Sequence, residues 1–418
     1  MIYIHIPFCG SFCTYCGFYS ETASCHGSYV DALVREIASR RKEIAGTAAV
    51  NTLYIGGGTP SVLPLSLFER IVSAVKSAAS VREFDEFTVE LNPEDVVEKG
   101  ESYAEALLKA GVTRASMGVQ SFDDGVLRWM NRRHSAAGAV EAYRILERAG
   151  FGNISVDLIF GLPDLRASGG FSPADRSGNV PLLTEDLWRR TLHRALEISA
   201  SGIPPAHISA YQLSVEPDSA LERLISGGRC IEAAEDVCAG QYEILCDVLR
   251  DAGYRHYEIS NFALPGREAV HNSAYWRQIP YAGFGPGAHS LRVLPDGKLM
   301  RSWNSPDLGL YLKAFGEDSG LDALQETLRG GEILTDAQSG LEAVMLGLRT
   351  SAGCSADVLE AVCDHERLRA AVASGHLVPL SPASESCGEG SPFSAGRGFR
   401  IPEKHFFISD SIISGLFE

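Results

Sequence analysis

"IHIPFCGSFCTYCGF" occupies residues 4–18. A short apolar run rich in isoleucine stops at Pro7, and Cys9, Cys13 and Cys16 follow within eight residues. The stretch reads as a β-strand that delivers a thiol-bearing loop. A structural zinc site normally takes four ligands, often as two separated pairs. Here no nearby Cys or His completes a set of four, and His5, two residues before Pro7, belongs to the strand and reads as directed elsewhere. An iron–sulfur cluster suits the C-x3-C-x2-C spacing better, because thiolates ligate its irons and a compact loop can wrap it. Three thiolates on four irons leave one iron open. The competing readings are three buried thiols or an opportunistic zinc site.

Outward from this loop, strand-like and helix-like segments alternate. Strands are expected at 1–6, 52–56, 87–91, 114–119, 154–160 and 207–213, all short and rich in β-branched or aromatic residues. Amphipathic helices are expected between them. In 186–199, Trp188, Leu192, Ala195 and Leu196 recur at helical spacing. In 134–150, Val140, Tyr143 and Leu146 share a face and Gly150 supplies a stop. Alternation of β and α units implies a parallel sheet. Six such units predict a partial (β/α)6 TIM-like barrel, with its site at the C-terminal ends of the strands. The unusual residues follow that rule: cysteines after strand one, "GGGTP" (56–60) after two, "NPE" after three and "QSF" after four.

The expected division is 1–220 for the barrel, 221–300 for a connecting region and 301–418 for a C-terminal, mostly helical, winged-helix-like domain. A helix is expected to start near Asp336. Two Gly/Ser/Pro-rich stretches, 164–183 and 381–398, read as loops, the second as the tip of a long hairpin.

The chain has 418 residues, 45% of them apolar and 22% charged, with a net charge of −16. That balance argues against a broad nucleic-acid surface, which needs excess Lys and Arg. No apolar run approaches the ~20 residues of a membrane span, and the N-terminus lacks the basic and apolar regions of a secretory signal. The chain therefore reads as cytoplasmic. In such a chain, clustered cysteines point to metal or redox chemistry rather than disulfides. The scattered ones, Cys25, Cys230, Cys238, Cys246, Cys354, Cys363 and Cys387, read mostly as small core fillers.

Further candidates stand out on chemistry. The glycines of "GGGTP" allow close backbone approach to a ligand, and no Gly-Lys-Ser/Thr follows to make a phosphate loop. Glu90 ends a strand; alone it reads as a surface acid near a turn. Asp157 lies inside an apolar strand, where a carboxylate is costly without a partner. His271 begins "HNSAYW" (271–276), and a lone His is usually a satisfied structural side chain.

C-x3-C-x2-C with an aromatic, Tyr15, before the last cysteine resembles the radical S-adenosylmethionine (SAM) superfamily. The surrounding "YIHIPFC" is similar to the oxygen-independent coproporphyrinogen III oxidase family and its haem-chaperone branch of the HemW type. The resemblance implies a [4Fe–4S] cluster on Cys9, Cys13 and Cys16. It implies an open iron chelated by SAM, and reductive cleavage of SAM to a 5′-deoxyadenosyl radical. It also implies SAM contacts from Tyr3, Tyr15, Gly57, Gly58, Thr59, Glu90, Gln120, Arg132 and Asp157, with Arg133 a rival to Arg132. The HN-x-x-YW segment matches one associated with haem, so the resemblance implies haem ligation by His271 and packing of Tyr275 and Trp276 against a porphyrin.

The implied partners are haem as cargo, haem-acceptor proteins, and a reductant such as flavodoxin or ferredoxin. No nucleic acid is expected, and membrane association is peripheral, through an acceptor. Two departures favour the chaperone over the oxidase. The oxidase resemblance calls for a Cys two positions after Cys16, where this chain has Phe18, and for a substantial segment before the first strand. Oxidative decarboxylation of propionates is the alternative function, and radical chemistry on another substrate a third. The 164–183 loop exceeds the family's usual length and reads as an insertion.

Overall fold

The computed structural model describes residues 1–45, 50–163, 184–316, 327–380 and 398–417. The expected loop at 164–183, the hairpin tip up to residue 397 and Cys387 lie outside the described residues.

Six parallel strands run in chain order: β1 Ile2–Ile6, β2 Thr52–Gly57, β3 Glu86–Leu91, β4 Arg114–Gln120, β5 Ile154–Phe160 and β6 His207–Gln212. Each pairs with its sequence neighbour, and the expected strand positions hold to within one residue at either end. Side chains on both faces are buried: Ile4, Ile6, Leu53, Ile55, Phe87, Val89, Ala115 and Met117 have no more than 3% exposure. Such near-continuous burial is expected of a parallel strand covered by helices. The covering helices bury one stripe each. In Leu65–Ala79 that stripe is Phe68, Ile71, Val72 and Val75, spaced by three, one and three residues. The helix Ala136–Ala149 stops at Gly150, whose φ of 108° is left-handed and whose N–H reaches back to Leu146 and Glu147. The helix expected over 186–199 spans Glu185–Leu196.

The stretch 221–300, expected as a connecting region, extends this sheet at both edges. β7 (Arg255–Glu258) and β8 (Asn261–Ala263) add antiparallel strands beyond β6, and β9 (Ala282–Phe284) pairs parallel to β1. The resulting order is β7-β8-β6-β5-β4-β3-β2-β1-β9, an α/β partial barrel. The boundary expected at residue 300 falls inside an antiparallel ladder of His289–Val293, Leu299–Asn304 and Arg329–Ile333. Beyond it, helices Asp336–Leu348, Ala356–Val362, His365–Ala373 and Ser409–Ser414 surround a small three-stranded sheet. This is a winged-helix-like arrangement with more strand than the expected helical domain. The helix at Asp336 starts where expected, through a capping box: Thr335 accepts from the Gln338 N–H, and the Gln338 side chain accepts from the Thr335 N–H. Among the described residues, no helix is long and apolar enough to cross a membrane.

Candidate functional site

The C-terminal ends of β1–β6 open onto a cavity of about 490 Å³, within the range that takes a small-molecule cofactor. Cys9, Cys13 and Cys16 lie on its rim, none of them in a disulfide. Their loop is held by main-chain bonds that do not involve sulfur. Cys9 N–H donates to Glu21 O (3.0 Å) and Glu21 N–H to Pro7 O (2.7 Å). Thr14 donates through N–H to Met130 O (3.1 Å) and through its hydroxyl to Trp129 O (2.7 Å), while Thr14 O accepts from Leu221 N–H (2.8 Å). Asn131 Nδ2 donates to Phe12 O at 2.7 Å. The loop is thus clamped between the turn after β4 and the start of the helix Ala220–Ser226. Burial pushes the Cys16 thiol up to about 11.

Gly57, Gly58 and Thr59 line the wall next to the cysteines. Gly57 has φ 107°, and a Cβ there would sit 2.5 Å from the His5 ring; one on Gly58 would sit 2.5 Å from Phe8 O. A side chain at either position would break the packing of this turn on β1. Thr59 Oγ1 lies 3.4 Å from Cys9 Sγ.

Glu90 and Asp157 form the cavity's acidic side. Glu90 accepts from the Tyr54 hydroxyl (2.7 Å) and Gly57 N–H (3.0 Å). Burial, opposed by the Tyr54 bond and reinforced by Asp157, raises its carboxyl to about 7. Asp157 accepts from Ser116 (2.9 Å) and Ser155 (3.0 Å), and burial raises it too. Because Glu90 ionises far above its unfolded range, the folded chain holds more protons between about pH 4.5 and 7. Its contribution to stability therefore falls as pH rises through that window. Glu90→Gln removes this penalty. Relative to wild type without ligand, it is expected to gain roughly 2–3 kcal/mol between pH 5 and pH 8. Thermal unfolding of both proteins at the two pH values checks this; parallel curves would contradict it.

Arg132 faces the cavity, and Arg133 does not act in its place. Arg132 donates to Asn92 Oδ1 (2.7 Å), Gly118 O (2.7 Å) and Cys13 Sγ (3.4 Å), while its buried Nε has no partner. Arg133 is paired with Glu94 (3.1 Å) and Asp95 (3.0 Å). Gln120 lines the cavity at a bulge in β4 with φ 65°, an uncommon conformation for a residue other than glycine. Tyr15 lines it as well, and burial raises its phenol while the Arg132 charge opposes this. Tyr3 does not line the cavity. Its hydroxyl donates to His5 Nδ1 (3.0 Å), and His5 Nε2 donates to Tyr19 O (2.9 Å). His5 is directed away from the thiols, as expected.

His271 is not brought to the cavity. It is 0% exposed, with Nδ1 2.8 Å from Thr52 Oγ1 and Nε2 2.9 Å from the Tyr275 hydroxyl. Burial, with the chain's amino group and Arg114, pushes the ring down to about 3, so it is neutral. Its neighbour Asn272 does line the cavity.

Asn92 is a site residue that sequence reasoning passed over. It is the N-cap of the helix Pro93–Ala110, yet its side chain makes no cap bond. It donates instead to Thr59 Oγ1 (3.1 Å) and accepts from Arg132. The signal was the "NPE" after β3: an Asn capping position whose side chain the site uses.

The donor set fits a thiolate-ligated cluster beside a cationic small molecule. Three free thiols share one rim, two buried carboxylates await positive charge, and an arginine Nε lacks an acceptor. The radical SAM superfamily profile matches residues 3–167. The haem chaperone HemW of Lactococcus lactis is 32% identical over 370 residues, 88% of this chain and 86% of that protein. The Synechocystis HemW is 33% identical over 88% and 82%. Among solved structures, the Escherichia coli coproporphyrinogen III oxidase HemN superposes with a TM-score of 0.73 over 99% of this chain and 89% of that one, at 20% identity, and so shares the fold. The chain belongs to the radical SAM superfamily and, within it, to the family that joins the oxygen-independent coproporphyrinogen III oxidases to the HemW haem chaperones.

Proposed function

We propose that this chain is a haem chaperone that carries a [4Fe–4S] cluster on Cys9, Cys13 and Cys16 and SAM in the adjoining cavity. The observation that carries the reading is the cavity itself, with three unpaired thiols on one side and buried Glu90, Asp157 and Arg132 on the other. When bound, the cluster and SAM supply reductive cleavage of a sulfonium. The chain's own residues bind and orient. Glu90 accepts hydrogen bonds from the SAM ammonium or ribose, and Arg132 offers its fork to the carboxylate. Gly57 and Gly58 leave room for the amino-acid end against the main chain, with Thr59, Gln120 and Tyr15 completing the walls. Tyr3 acts from below through His5, and Asp157 through Ser116 and Ser155.

Haem as cargo, transfer to acceptor proteins, and reduction by a flavodoxin or ferredoxin rest on the HemW relatives. So do a cytoplasmic setting and contact with membranes only through an acceptor. In this reading, residues 1–220 carry the cluster chemistry, 221–300 the HN-x-x-YW segment and 301–418 a lid or partner surface. Phe18, 74% exposed beside the cluster loop, stands where the oxidase pattern has Cys. The alternative, oxidative decarboxylation of propionates, keeps its basis because all three cluster cysteines are present. Incubation with coproporphyrinogen III, SAM and reductant, followed by product analysis, decides between them. The chaperone reading expects no decarboxylated porphyrinogen, and protoporphyrinogen formation would overturn it.

Ligation of haem by His271 requires the ring to give up Thr52 and Tyr275. Haem titration of wild type and His271→Ala is expected to give different Soret spectra, with added imidazole restoring the wild-type form. Superimposable spectra would remove His271 from the haem site.

A further inference from the structure

Away from the cavity, the fold brings together Cys246, His256 and Glu403. Cys246 lies on the helix Glu235–Asp251, His256 on β7, and Glu403 at the start of the short 3-10 helix Glu403–Ile408. One donor atom from each lies within 4.8 Å of the others. His256 Nδ1 is 3.8 Å from Cys246 Sγ and 3.3 Å from Glu403 Oε1.

The ring's hydrogen bonds assign its proton. Tyr242 donates its hydroxyl hydrogen to Ile259 O at 2.7 Å. His256 Nε2 then faces only acceptors, the Tyr242 oxygen at 3.2 Å and Ile259 O at 3.3 Å. Nε2 therefore carries the hydrogen, and the Nδ1 side of the ring faces the thiol and the carboxylate. A metal-ligating histidine is ordinarily oriented in this way, by a hydrogen bond from its other nitrogen to a carbonyl. The ring is also fixed by packing. It stacks on Phe262 at 4.0 Å and meets Phe406 edge-on at 4.9 Å. At 3.3 Å, a neutral Nδ1 and a carboxylate oxygen would present lone pairs to each other. A cation must lie there, either a second proton on the ring or a metal ion.

We propose that Cys246, His256 and Glu403 form a three-ligand site for a zinc-class divalent metal. Tetrahedral geometry with ordinary zinc bond lengths requires separations of about 3.6 Å between S and N, about 3.4 Å between N and O, and about 3.6 Å between S and O. The observed 3.8 and 3.3 Å already match two of these. The third closes by a small swing of Glu403, whose side chain is 36% exposed. Thiolate with imidazole selects zinc or a similar borderline-soft ion over magnesium or calcium, which take oxygen ligands. Binding converts the Cys246 thiol to a thiolate and releases its proton to solvent. The fourth position, on the exposed side of Glu403, takes water. Because the ligands come from the sheet's edge strand, its covering helix and the C-terminal segment, the metal would tie that segment to the barrel.

The site is separable from the cluster loop. The full chain, with its iron–sulfur cluster reconstituted, and the Cys9→Ala/Cys13→Ala/Cys16→Ala variant are each titrated with Co2+ and then Zn2+. Both are expected to bind one equivalent of Co2+ with a thiolate charge-transfer band, which Zn2+ displaces. Cys246→Ala is expected to lose the band. Glu403→Gln, with its partly exposed side chain, is expected to fold normally and bind about tenfold more weakly. With Zn2+ at a hundred times Kd, the folded-to-unfolded ratio should rise about a hundredfold, seen as a higher Tm. The proposal is overturned by absence of the band, by its survival in Cys246→Ala, or by a Tm that responds to pH but not to Zn2+. The last result would mean that the bridging cation is a proton.

Discussion

Replacing Cys9, Cys13 and Cys16 together by alanine is expected to abolish the visible absorbance that anaerobic reconstitution with iron and sulfide gives the wild-type chain. Nothing else among the described residues offers three clustered thiols: Cys230, Cys238, Cys246, Cys354 and Cys363 are buried singly in the packed interior or on remote elements. The fold should survive the change. The loop is set by main-chain bonds from Cys9, Thr14 and Glu21, and by the Thr14 and Asn131 side chains. Of the thiol contacts, only those of Cys9 with Thr59 and Cys13 with Arg132 are lost, each at 3.4 Å. Weak, partly exposed contacts of this kind contribute little. Far-UV circular dichroism should superimpose on wild type, and Tm should stay within a few degrees. Unchanged iron-dependent absorbance would refute the cluster assignment, as would zinc in place of iron on the wild-type loop.

The six parallel strands were legible because each is a short apolar run bounded by polar or glycine-rich turns, and the parallel order followed from the helices between them. The cluster loop was legible for a different reason: thiolate spacing is local, so residues 9–16 carry it whole. What escaped notice depends on residues that meet only in three dimensions. β9 is three residues, Ala-Gly-Phe, with no alternation to mark it, and its place beside β1 comes from tertiary packing. A Cβ on Gly283 would fall within 1.9 Å of His289 O, so the glycine records a close crossing that the sequence displays only as a small residue. His271 was read as a ligand from its motif, whereas the fold spends both ring nitrogens on Thr52 and Tyr275. Cys246 and Glu403 are far apart in the chain and gave no spacing signal at all.

Glu36→Ala is expected to produce the largest loss of stability of any single charged-residue change outside the site. In "VREIASRRKE" (34–43) Glu36 resembles one member of an ordinary exposed i,i+4 pair with Arg40, a pairing worth a few tenths of a kcal/mol on a helix surface. The structure places it at 0% exposure. One oxygen accepts from Arg40 (2.5 Å) and Asn304 (2.8 Å), the other from Gly285 N–H (2.9 Å) and the Tyr311 hydroxyl (2.7 Å). Arg40 goes on to Gly283 O (2.7 Å) and lies 4.4 Å over the Phe284 ring. A single carboxylate thus joins the first helix to β9, to the ladder strand Leu299–Asn304 and to the helix Leu308–Ala314. Removing it leaves a guanidinium, an amide, a hydroxyl and a main-chain N–H short of an acceptor in a dry interior, at a cost of about 3–5 kcal/mol. Glu36→Gln keeps one acceptor and should lose less. Arg40→Ala combined with Glu36→Ala should cost less than the sum of the two, because each single change already forfeits their shared interaction. Chemical denaturation of the four proteins measures these differences. A loss below about 1 kcal/mol for Glu36→Ala would place this carboxylate among surface pairs and require another account of what holds β9 against β1.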